Sequence, residues 1–195
     1  MWRILETYIL IFIASSLVEA NIPTKHTLKN LKPYRNQITP RKLSDENGTI
    51  NYRLPNNTRP LHYDIHLTTH VHESKFEFEG HVVVKFEPKS APLNEITLHM
   101  FKLKNIKVKL LDINKTTLAD NLESDFNVTT DFLTIKTENN LTIGENYYLE
   151  FDYEGELRDD NVGFYKSSYM NEKNEIVWLA TTQFESVEAR SAFPW

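Results

Sequence analysis

The chain has 195 residues, no cysteine and a net charge of −5, enough length for one substantial core and too little for two comfortable ones. Without thiols, both a disulfide framework and a thiolate metal centre are excluded within it. Between Asn21 and Lys42 lie six basic residues and no acid, so the chain from Leu43 onward carries roughly −10. Such a surface repels phosphate backbones, and nucleic acid is not an expected partner.

The first twenty residues have the form of a signal peptide. Arg3 supplies the basic start, Tyr8 to Leu17 the apolar run, and Val18-Glu19-Ala20 a small-x-small close. Glu6 and Glu19 hold the apolar run to about a dozen residues, short of the ~20 that a membrane span takes. Residues 21–51 then read as a basic flexible lead, with Pro33 and Pro40 and no sustained periodicity. Its dibasic pair Arg41-Lys42 reads as a solvated pair in preference to a processing site. Asn-x-Ser/Thr sequons at Asn47, Asn56, Asn114, Asn127 and Asn140 mark glycosylation sites if the chain is exported. The expected location is therefore secreted or on the outer face of the plasma membrane.

From about Tyr52 the period becomes two. Leu61, Tyr63, Ile65 and Leu67 alternate with His62, Asp64, His66 and Thr68, which predicts a strand with one buried face. Phe76, Phe78, Gly80, Val82, Val84 and Phe86 repeat the pattern until Pro88. Ile96 to Met100, Ile106 to Leu110 and Phe132 to Ile135 are shorter strands. Tyr147 to Tyr153 is another, expected to break at Gly155, and Ile176 to Thr182 is the last. Short strands between Asn-, Asp- and Pro-rich turns, without a long helical period, predict an all-β fold, a sandwich or strongly bent sheet.

Local motifs carry little chemistry. His62, His66 and His70 are four apart, which on a strand separates them by roughly 13 Å, too far for one metal ion. They read as solvated residues of one face. His72-Glu73 opens an H-E-x-x-H pattern, but Phe76 stands where the second histidine would be. Lys102, Lys104, Lys107 and Lys109 form either a phosphate or glycosaminoglycan site or a solvated lysine edge that discourages strand pairing. Neither a catalytic residue nor a metal ligand is expected in this chain. Glu185, taken alone, reads as a surface partner of Arg190.

The closing segment, Thr182-Gln183-Phe184-Glu185-Ser186-Val187-Glu188-Ala189-Arg190-Ser191-Ala192-Phe193-Pro194, resembles the T-Q-x-E-x-x-x-A-R-x-x-F-P signature of the zinc aminopeptidases related to aminopeptidase N. Leu54-Pro55, Pro60 to Leu67, Gly80 to Glu87, Ile96 to His99, Tyr153 to Leu157 and Gly163 to Tyr169 are similar to the family in the same order, so the resemblance runs over 52–195. It implies a saddle-shaped β-sandwich domain that packs on a thermolysin-like zinc domain. It also implies that Glu185 holds the free amine of a peptide substrate and that Gln183 shapes the same pocket. A carboxylate in a dry pocket binds a cationic amine through a charge-assisted hydrogen bond and fixes the first residue of the peptide. The G-x-M-E-N loop and H-E-x-x-H helix that the family uses for catalysis do not occur in this sequence, and zinc is implied only for a longer parent enzyme. Trp195 stands where the family pattern continues with Cys. Two functions follow: the amine-recognising front of a secreted or surface-associated aminopeptidase, or a non-catalytic extracellular binding or decoy module of the same fold.

Overall fold

The computed structural model describes residues 50–195. The predicted signal peptide, the lead up to Thr49, Arg41-Lys42 and the sequon at Asn47 lie outside the described residues. Ten strands follow in order: β1 Thr58–Thr69, β2 Glu77–Pro88, β3 Glu95–His99, β4 Lys104–Leu111, β5 Thr117–Ala119, β6 Ser124–Asn127, β7 Phe132–Lys136, β8 Tyr147–Glu156, β9 Gly163–Met170 and β10 Ile176–Gln183. Two 3-10 turns, Val71–Glu73 and Glu188–Ser191, are the only helical pieces among the described residues. The fold is all-β, as the alternation predicted.

The strands form a five-stranded sheet in the order β1-β2-β8-β4-β5, a three-stranded sheet β3-β7-β6, and a two-stranded sheet β10-β9. Every strand pair is antiparallel. Period two decides which faces meet. Phe78, Val82, Val84 and Phe86 of β2, Leu149 and Phe151 of β8 and Val108 of β4 join Ile96 and Leu98 of β3 and Leu133 and Ile135 of β7 in one buried cluster. That continuous core between the two larger sheets makes the sandwich, each fully buried side chain contributing about 1.5–3 kcal/mol.

Leu61 departs from the predicted buried face and is 40% exposed. The register shifts between Pro60 and His62, so Leu61 is the extra residue of a bulge and has no partner on β2. Three strands carried no readable alternation. β5 and β6 are three and four residues long, and β9 pairs with no strand but β10.

Gly155 does not end its strand as expected; β8 runs through it to Glu156. The reason is reciprocal packing across β2 and β8. Gly155 lies opposite Phe78 and Gly80 opposite Tyr153, and a Cβ on either glycine would penetrate the ring facing it. Each glycine is a berth for an aromatic ring, and the two rings meet edge to face with centroids 6.5 Å apart. Gly155→Ala is expected to destabilise the domain by about 1–3 kcal/mol, as overpacked core sites do. Denaturant unfolding checks this, and an unchanged midpoint would count against the berth.

Candidate functional site

The closing segment builds a compact turn whose residues divide by task. Gln183 ends β10 opposite Gly163, and Glu185 follows in a turn closed by the Glu188 amide donating to the Phe184 carbonyl at 2.9 Å. Phe184 packs edge-on against Phe193, ring centroids 6.0 Å apart. Arg190 donates through Nε to the Val187 carbonyl at 2.9 Å and pairs with Asp131 at 3.5 Å, and neither contact involves Glu185. Glu188 pairs with Arg158 at 3.3 Å, and Arg158 also binds Asp160. Ser191 Oγ donates to the Glu188 carbonyl at 2.8 Å. The backbones of His99 and Trp195 exchange hydrogen bonds of 2.8 and 3.1 Å, so the segment ends as an added partner to the end of β3.

Among the described residues, Gln183 and Glu185 are exposed and no hydrogen bond or ion pair engages either side chain. The signature's Ala189, Arg190, Phe193 and Pro194 are spent on the turn and the core. The segment thus holds an amide and a carboxylate, two positions apart, out from a tied-down support.

The other sequence candidates lie elsewhere. His62 and His66 are exposed on β1, while His70 precedes the 3-10 turn at Val71, so the three histidines converge on nothing. Glu73 is bonded to Lys75 at 2.6 Å. The lysine row of β4 faces an acid row on β8: Lys104 binds Glu156, Lys107 lies across from Asp152, and Lys109 is 3.3 Å from Glu150. β5 pairs only with Leu110 and Leu111, so from Lys104 to Lys109 the edge of β4 away from β8 pairs with no strand among the described residues. That arrangement fits the solvated lysine edge.

The sequence matches the family model described as the Peptidase M1 N-terminal domain over residues 59–195. The chain belongs to the M1 peptidase family, as its N-terminal domain. It is 32% identical over 160 residues to a membrane alanyl aminopeptidase of Manduca sexta, covering 73% of this chain and 16% of that protein. It is 31% identical over 151 residues to aminopeptidase N of Bos taurus, 73% of this chain and 15% of that one. Against aminopeptidase N of Homo sapiens it is 28% identical over 180 residues, 88% of this chain and 18% of that one. The chain therefore spans less than a fifth of the length of these relatives. The H-E-x-x-H pattern that the resemblance implies for a catalytic zinc does not occur in the sequence.

The M1 domain also buries one histidine that sequence reasoning passed over. His99 is 8% exposed, between the rings of Phe132 and Trp195 at 5.0 and 6.0 Å. Burial first, then the charge of Arg190, pushes its pKa down to about 4, while a hydrogen bond to the Asp131 backbone works in the opposite direction. In the unfolded chain an imidazole titrates near ~6.5, so acid protonates the unfolded state first. The His99 contribution is constant above about pH 6.5, is lost as pH falls toward about 4, and levels off below that. Between about pH 7 and about pH 4.5, His99→Phe is expected to lose about 2 kcal/mol less stability than the parent sequence. Equal losses in denaturant unfolding would contradict this account.

Proposed function

We infer that this chain is the substrate-facing front of a zinc aminopeptidase acting outside the cell or at its surface. Glu185 binds the free amine of the peptide and Gln183 shapes the same pocket. The observation that carries this reading is the division within the signature segment: its inward residues are consumed in holding the turn, while Gln183 and Glu185 stand exposed without partners. A carboxylate held on a fixed turn, with no internal cation to satisfy it, is preorganised for an external one. When a catalytic domain closes over it and excludes water, the amine–carboxylate contact strengthens and measures the substrate from its first residue. Zinc, in the longer enzyme, supplies Lewis-acid activation for peptide hydrolysis. The present residues bind and orient.

The second reading, a non-catalytic extracellular binding or decoy module, would suit an evenly polar surface. The strand ends that flank the polar β9-β10 turn are apolar. Met170 and Ile176 are directly paired and 58% and 61% exposed, and Tyr169, next to Met170, is 55% exposed. Residues adjacent on a strand point to opposite faces, so this end of the ribbon is apolar on both sides. A two-stranded ribbon cannot bury both by itself, and a catalytic domain packed against it is the occupant we propose.

In the full-length enzyme, Glu185→Ala is expected to raise KM and lower kcat on aminoacyl substrates, a combined loss of roughly 2 kcal/mol or more in transition-state binding. Because Glu185 is exposed and unpartnered, thermal stability should not change. Unaltered kinetics would sink the amine clamp.

Export is testable separately. Asn56, Asn114, Asn127 and Asn140 are all exposed, and Asn127 uses its Oδ1 to accept from the Thr129 amide at 2.9 Å, leaving Nδ2 available for glycan. The chain made in a secretory cell should lose mass on treatment with an N-glycosidase. A mass that does not change would remove glycosylation from the proposal.

A further inference from the structure

The solvent-facing side of the large sheet carries a donor cluster that amine recognition does not use. His81 on β2 lies directly across from Asp152 on β8, and Glu150, two residues earlier on β8, shares that face. A ring nitrogen of His81 and one carboxylate oxygen from each of Glu150 and Asp152 all lie within 4.8 Å of one another. His81 Nδ1 is already 2.8 Å from Asp152 Oδ1. A recess of about 290 Å³ opens over the pair and is lined by two more acids, Glu79 and Glu154. On its other side, His66 of β1 pairs directly across from His81, ring centroids 6.3 Å apart.

Donors around a tetrahedral ion with bonds of about 2.0–2.2 Å are separated by roughly 3.5 Å. The three atoms need move by only about an ångström from their present spacing, which side-chain rotation at a solvent-facing site supplies. One imidazole with two carboxylates suits a borderline divalent ion; magnesium and calcium prefer oxygen alone. Glu79 and Glu154 add negative charge beside the donors, while Lys109, 3.3 Å from Glu150, and Lys107, across from Asp152, are the cations a metal ion must displace. A metal ion would take the place of the proton between His81 and Asp152 and displace the exchangeable contact of Lys109.

The geometry points to a zinc(II) site formed by His81, Glu150 and Asp152, clamping β2 to β8 on the face opposite the core, with solvent completing the coordination. It is separate from the family's catalytic zinc, which depends on a motif this sequence lacks. It also stands independently of the role given to Glu185.

The test is calorimetric titration of the 195-residue chain, free of any affinity tag, with zinc chloride, alongside thermal unfolding with and without the ion. Binding should raise the Tm by mass action. H81N and D152N should each lower the affinity about tenfold or more, whereas H72N, whose histidine lies in the 3-10 turn after β1, should leave it unchanged. Glu150→Gln provides a third variant should either of the first two fail to fold. No heat of binding, an affinity unaltered in these variants, or an equal Tm rise from magnesium chloride would each overturn the site.

Discussion

The hydroxyl of Tyr153 donates to the carbonyl of Ala192 at 2.8 Å deep in the core, and the position of the closing segment depends on it. Burial pushes the phenol well above its ordinary pKa, so it remains a donor at any physiological pH. Tyr153 reaches that carbonyl because Gly80 leaves room for its ring on the neighbouring strand. From Ala192 the chain passes through buried Phe193 and Pro194 to the reciprocal backbone pairing of Trp195 with His99. This buried contact joins the backbone pairing of Trp195 with His99 and the Arg190–Asp131 and Arg158–Glu188 ion pairs in tying the closing segment to the sheets. A buried carbonyl left without that donor would cost about 1–3 kcal/mol.

The fold was legible wherever one face of a strand is buried and the other is wet. β2 and β8 alternate almost without fault, and period two alone located them. It failed where the physics lies outside the strand itself. Gly155 looked like a stop because its reason for being glycine, the ring of Phe78, is 77 residues away in sequence. β9 alternates poorly because its apolar end is exposed on both faces, and β6 is four residues long with one half-buried aromatic, Phe126. Leu61 obeyed the pattern in sequence and not in space, since a single bulge residue moves a side chain to the other face.

Site residues divide along the same line. The family signature drew attention to Gln183 and Glu185, and their freedom from internal partners became visible only once Arg190 was seen to be occupied by Asp131. The reverse holds for the lysines of β4. Viewed along the sequence they are a basic patch; across the sheet they meet Glu150, Asp152 and Glu156, and exposed pairs of that kind contribute little to stability. His81 attracted no notice because its companions arrive from a strand some 70 residues later, whereas His62, His66 and His70, conspicuous for their spacing, never come together. Proximity along a β-chain is a poor guide to shared chemistry, and cross-strand register is the better one.

The tip of the β9-β10 hairpin closes on itself. Asn171 accepts the amides of Lys173 and Glu175 through its own side chain, both at 2.9 Å, and Asn174 takes the left-handed conformation the reversal needs. The tip therefore borrows no hydrogen bond from either larger sheet, and residues can be inserted or removed there without disturbing the core. Gln183 sits at the opposite end of the same ribbon, beside the buried Gly163 and Phe164. One hairpin thus joins an end that tolerates a change in length to an end held in register, so what the tip touches can vary while the geometry beside Glu185 is preserved.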